Sequence, residues 1–122
     1  MQLSTLLFIQ VTLCILRGVG FILAPAKLWK TFNINLDKHT ALPVQLLGAA
    51  YVAAALMNWT SLRFVTAPSL QSVIVFNFTM ELLGMIITAY GVISKSVSKV
   101  GWIPFMVHSF ITLAFGYFLF YS

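Results

Sequence analysis

Four apolar runs, each about twenty residues long and separated by short connections, constrain this chain more than any other feature. They cover Leu3–Leu23, Leu42–Trp59, Val73–Ile93 and Trp102–Tyr121. Wound as α-helices at about 1.5 Å per residue, such runs reach about 27–31 Å, close to the roughly 30 Å of a bilayer's hydrocarbon core. None alternates with the period of two that a barrel strand needs. A helix also satisfies its own backbone where water is absent. The sequence therefore predicts an all-α integral membrane protein. It reads as a single transmembrane domain over residues 1–122, a four-transmembrane-helix bundle with up-down topology.

Composition agrees. Only 7% of residues are charged and 61% are hydrophobic, whereas a soluble domain needs about 25% charged residues to coat its surface. The first run reads as a span rather than a secretory signal. No basic residue precedes it, Arg17 interrupts it, and no small-x-small cleavage site follows. Its helix is expected to stop before Pro25. Pro43 is expected in the first turn of the second helix, where proline is tolerated, and Pro104 near the start of the fourth.

The charge is unevenly placed. Lys27, Lys30 and Lys38 fall in the first connection and Lys95 and Lys99 in the third, while the opposite side carries only Arg63 and the termini. The excess of positive charge assigns the lysine connections to the cytoplasm and both termini to the outside. The net charge of +5 does not point to nucleic acid, because the lysines form no basic face and no aromatic residues interleave with them. Membrane lipids are the expected partners, through anionic headgroups. Trp29, Trp59, Tyr90, Trp102, Tyr117 and Tyr121 gather near the run ends, at headgroup level. From Pro25 to Phe32 the pattern suits a short interfacial helix, with Leu28, Trp29 and Phe32 inward and Lys27 and Lys30 outward. The stretch from Asn33 to Thr40 is polar and reads as turn.

Ionisable residues at membrane depth are costly and face the bundle interior or a cavity. Glu81 lies mid-run, and Asn77, Glu81, Gly84 and Thr88 share one helical face. Gln10, Cys14 and Gly18 share a face of the first run beside Arg17, which counting of residues brings within reach of Glu81. His108 and Thr112 lie on the fourth run and Gln45 on the second. These residues (Glu81, Asn77, Arg17, Gln10, Gln45, His108 and Thr112) are expected to meet in one buried polar network. The alternative is that they act as helix glue, worth about 0.6–2 kcal/mol each. Gly48-Ala49-Ala50 and Ala53-Ala54-Ala55 form a surface of small residues, with Gly18, Gly84 and Gly91 as its expected receivers. The lone Cys14 reads as a packing residue, since a thiol in apolar surroundings resists ionisation.

No phosphate-binding loop, dinucleotide fingerprint, zinc motif or nucleophile elbow occurs. The sequence thus assigns no catalytic residue, no metal site and no cofactor. The first run ending at Pro25, Gln45-Leu-Leu-Gly-Ala-Ala50, Asn58-Trp59, and Asn77 with Gly84 together resemble uncharacterised small four-helix proteins of bacterial inner membranes. The resemblance implies that fold and location, without an activity. The chain is also similar in size to small multidrug exporters, but those carry their glutamate in the first span and this chain carries it in the third. The leading expectation is a small non-enzymatic membrane protein, an accessory subunit or a lipid- or partner-binding module. A second is an oligomeric transporter of small ions or molecules using Glu81. A third is a membrane enzyme or carrier for a lipid, quinone or sterol-like molecule, with Glu81 and His108 as acid and base.

Overall fold

The computed structural model describes residues 1–63 and 67–121, apart from the side chains of residues 67 and 68. Its helices are α1 (Leu3–Leu23), α2 (Pro25–Thr31), α3 (Lys38–Arg63), α4 (Ala67–Ile93) and α5 (Trp102–Phe120), with a 3-10 turn over Lys99–Gly101 leading into the last. No strand occurs among the described residues. Helices α1, α3, α4 and α5 are long and apolar enough to cross a membrane.

Helix α1 has the expected bounds. Its end is set by Ala24, whose N–H reaches Gly20 O at 2.9 Å just ahead of Pro25. Helix α5 stops one residue short of the expected Tyr121. The other two helices exceed their apolar runs. Helix α3 starts at Lys38 because Asp37 caps it. The Asp37 carboxylate accepts the N–H groups of His39 (2.9 Å) and Thr40 (2.8 Å), and the Thr40 hydroxyl accepts the N–H of Asp37 at 2.9 Å. This reciprocal cap satisfies donors that a helix start leaves free. It converts the end of the expected turn into helix. Pro43 therefore falls in the second turn, not the first, where it removes one helical hydrogen bond. The Thr40 N–H first, then the Thr40 hydroxyl and the His39 N–H, hold the Asp37 carboxyl below its ordinary range. Helix α4 begins at Ala67, ahead of the expected Val73.

Helix α2 follows α1 directly. Leu28, Trp29 and Phe32 are half-buried while Lys27 and Lys30 are exposed. Leu28 fills the space over Gly20, and the Trp29 ring packs against Phe21 and Phe32. The helix ends where Asn33 turns into the left-handed region (φ 61°), with the Asn33 N–H on Lys30 O and the Ile34 N–H on Trp29 O. That pairing closes carbonyls the last turn leaves open.

The long helices associate as two pairs, α1 along α3 and α4 along α5. In the first pair the backbones nearly touch. A Cβ on Gly18 would sit 2.8 Å from Gly48 O, and a Cβ on Gly48 would sit 2.8 Å from Gly18 O. Farther along, Cys14 packs with Ala54 and Ala55, so small residues set this approach. Gly84 and Gly91 take no part in it, contrary to expectation. Gly84 faces the His108 ring and Gly91 faces Val97. The two pairs share an apolar cluster near the termini, formed by Leu6, Leu7, Val73, Ile74, Ile111 and Phe115. At the opposite end the two lysine-bearing connections meet, where the Ser98 N–H bonds Phe32 O at 3.0 Å. The outward faces are apolar as well: Leu16, Leu46, Leu56, Ile87 and Leu113 are all exposed.

Candidate functional site

Between the apolar cluster and the lysine end, polar side chains from all four long helices converge. Helix α1 supplies Gln10 and Arg17, α3 supplies Asn58, α4 supplies Asn77 and Glu81, and α5 supplies His108. Gln10, Asn58, Asn77 and Glu81 are fully buried. The spacing that brings Asn77 and Glu81 together is the i, i+4 repeat of one helical face.

Glu81 is the hub. Its Oε1 accepts from Gln10 Nε2 at 2.8 Å and from Arg17 Nη1 at 2.9 Å. Its Oε2 lies 2.5 Å from His108 Nδ1. An ionised carboxylate can only accept, so with Glu81 charged the His108 Nδ1 carries the proton. Arg17 balances the carboxylate charge directly, and its guanidinium carbon stands 5.3 Å from the Tyr51 ring centre, a distance at which the ring face attracts a cation. Gly84 makes room for the imidazole. A Cβ there would come within 2.7 Å of His108 Cε1 and 2.8 Å of its Nδ1.

A second branch consists of amides. Asn77 Nδ2 donates to Asn58 Oδ1 at 2.6 Å and Asn58 Nδ2 donates back to Asn77 Oδ1 at 3.1 Å. Each also donates to a carbonyl four residues earlier on its own helix, Val73 O and Ala54 O. Gln10 Nε2 donates to Asn77 Oδ1 at 3.1 Å and so joins the amide branch to the carboxylate. Buried polar groups are stable only when partnered, and here nearly every group is. The exceptions are Gln10 Oε1 and Arg17 Nη2, which are shielded and have no partner.

Five of the seven residues singled out in the sequence are therefore brought together: Gln10, Arg17, Asn77, Glu81 and His108. Gln45 is not among them. Its Nε2 donates to Ile22 O at 3.1 Å, one of the carbonyls that the end of α1 leaves open. Thr112 is buried beside His108 but turns its hydroxyl to the His108 carbonyl at 2.6 Å. Thr88 likewise bonds Gly84 O on its own helix. Both follow the habit of helical threonines of bonding the preceding turn. Asn58 is not legible in the sequence as a site residue, because a helix expected to stop at Trp59 leaves it at a frayed end. The signal available was its spacing from Gly48, Tyr51 and Ala55, which sets it on the packed face.

Among the described residues no group of His, Cys, Asp and Glu is arranged to hold a metal ion. Comparison of the chain with protein-family models, with curated proteins and with solved structures gave no match, so the chemistry of the site rests on its own residues.

Proposed function

We propose that this chain is an integral protein of a bacterial inner membrane that serves as a small, non-enzymatic module binding lipid or a partner protein. In this reading α1, α3, α4 and α5 cross the bilayer in up-down order, with both termini outside and the lysine connections in the cytoplasm. The observation that carries it is the engagement of Glu81. Both carboxylate oxygens are taken by groups of the protein itself, Gln10 and Arg17 on one and His108 on the other. A carboxylate so enclosed holds helices together, and it leaves the apolar outer faces as the surface on which other molecules act. Support for the orientation comes from the meeting of the two lysine-bearing connections at one end, which gathers positive charge on one side.

Native mass spectrometry of the protein, released gently from its own membrane, tests the function. A heteromeric complex or retained lipid is expected; a bare monomer would overturn the reading. Trypsin added to sealed inside-out vesicles tests the orientation. Cleavage after Lys27, Lys30, Lys95 or Lys99 is expected, and protection of these sites would reverse it.

A transporter reading is favoured by one observation, the lack of partners for Arg17 Nη2 and Gln10 Oε1 beside Glu81. A small polar guest bound there would satisfy both. Ion flux into liposomes that disappears in Glu81→Gln would replace the first reading with this one. Flux that is absent, or unaltered by the substitution, removes Glu81 from any transport path.

A further inference from the structure

We infer that the cleft where the two lysine-bearing connections meet binds the phosphodiester headgroup of an anionic phospholipid, one lipid per chain. The inference rests on the membrane-module reading above and names its ligand.

The cleft is an open groove of about 460 Å³, within the roughly 300–1,000 Å³ of small-molecule sites. Its lining includes the polar residues Asn33, Lys95, Ser98 and Lys99 and the apolar residues Val92, Ile93 and Trp102. The walls belong to the ends of α2, α4 and the 3-10 turn, joined by the Ser98 N–H to Phe32 O bond.

Two features point to an anion. Among the described residues, neither Lys95 nor Lys99 is within ion-pair distance of a carboxylate. The chain's acids are Asp37 and Glu81, and both are already engaged elsewhere, by the cap of α3 and by the central network. The five lysines at this end therefore exceed its carboxylates by four, Asp37 being the one acid there. Next, the Ser98 hydroxyl is shielded and has no protein partner, and Ser98 lines the same cleft as the two lysines.

The apolar wall decides between a lipid and free phosphate. Ile86, Tyr90 and Ile93 are exposed and lie at i, i+4 and i+7 on α4, a single stripe. The stripe runs from the cleft toward the middle of the helix, a path for an acyl chain below the headgroup. Trp102, which lines the cleft, supplies an amphipathic ring of the kind that sits at headgroup level. Inorganic phosphate would use the lysines and leave this stripe idle.

The test uses the full chain in nanodiscs of one part phosphatidylglycerol to three parts phosphatidylcholine, with lipids retained after mild release counted by native mass spectrometry. One retained phosphatidylglycerol per wild-type chain is expected. Retention in Lys95→Gln/Lys99→Gln is expected to fall about thirtyfold, at about fivefold per lysine, and Lys95→Arg/Lys99→Arg is expected to restore it. Lys27→Gln/Lys30→Gln removes the same charge from α2, whose lysines do not line the cleft, and is expected to lose less than fivefold. Equal losses in the two glutamine variants would mean a diffuse field and overturn the cleft. Displacement of the lipid by millimolar inorganic phosphate would assign the cleft to the free ion and overturn the lipid. A chain that enters nanodiscs and keeps protein partners or other lipids without preferring phosphatidylglycerol refutes only this inference. A chain that fails to enter the bilayer refutes the reading on which it rests.

Discussion

Replacing Glu81 by glutamine is the most informative single change, because glutamine keeps the shape of the hub, removes its charge and turns one acceptor oxygen into an N–H donor. Three contacts change character: those from Gln10 at 2.8 Å, Arg17 at 2.9 Å and His108 at 2.5 Å. A hydrogen bond to a charged group contributes about 1.5–3 kcal/mol and a neutral one about 0.5–1.5, so each contact loses roughly 1 kcal/mol and the three lose roughly 3. Arg17 is then left without its counter-charge, which in a fully buried pair costs about 3–5 kcal/mol. Its side chain is 16% exposed and rests over the Tyr51 ring, so part of that charge stays stabilised and the lower end applies. The two figures describe the same lost charge and are not summed, so the expected loss is about 3 kcal/mol, several times the roughly 0.6 kcal/mol typical of a neutral bond between membrane helices. The assay is equilibrium unfolding in mixed micelles of rising dodecyl sulfate content, followed by tryptophan fluorescence. In the double variant Arg17→Gln/Glu81→Gln neither charge is stranded, and its cost is expected to fall short of the summed single costs by about 2 kcal/mol. If Glu81→Gln stays within about 0.5 kcal/mol of the parent, the ion pair contributes nothing and the hub is a neutral one.

Three other outcomes follow from the same geometry. Asn58→Leu leaves the Asn77 amide half-partnered and is expected to cost about 1–3 kcal/mol, whereas Asn58→Leu/Asn77→Leu costs less than the sum of the singles because both partners become apolar; the same unfolding assay measures this, and additive losses would contradict the reciprocal pair. Gly18→Ala pushes its methyl against Gly48 O and the Val52 backbone and is expected to cost about 1–3 kcal/mol, while Gly20→Ala meets only the flexible tip of Leu28 and is expected to be milder; equal losses would contradict the close approach of α1 and α3. The cap of α3 depends on pH. Because folding lowers the Asp37 carboxyl below its ordinary value, chiefly through the Thr40 N–H, the cap is fully present above the ordinary aspartate range near about pH 3.9 and is lost as pH falls through the lowered value. Amide exchange at His39 and Thr40 is expected to rise through that acidic interval, apart from its ordinary chemical pH dependence, and to show no such step in Asp37→Asn.

The parts of the fold legible in the sequence are those where apolar length and boundary coincide. Leu3–Leu23 is closed by Pro25, and Trp102 opens α5 in both the sequence and the structure. Helix α2 is legible from Leu28, Trp29 and Phe32 set against two lysines. Helix α3 is less so, because its first turn, Lys38, His39 and Thr40, is polar, and a cap at Asp37 rather than apolar periodicity sets its start. The central network is legible because charge and amides stand out against apolar runs and helical spacing aligns them. What spacing does not reveal is the competition for each side chain. Gln45 is claimed by an open carbonyl of α1 and Thr112 by its own helix, and neither local claim is visible before the helices are placed. The role of Gly84 is hidden for a related reason: among small residues it resembles a helix contact, yet its partner is an imidazole.

The division into two pairs has a consequence in time. Synthesis completes α1 and α3 before Asn77 or Glu81 exists, and every side-chain bond of the network between the pairs joins an early residue to a late one: Gln10 to Asn77 and Glu81, Arg17 to Glu81, Asn58 to Asn77. A nascent chain halted after the first pair keeps Arg17 over the Tyr51 ring and Asn58 on Ala54 O, but it lacks the counter-charge and the amide partners that the second pair brings. The same residues that close the finished protein would thus advertise an unfinished one, giving quality-control proteases a chemical criterion for telling half a molecule from a whole.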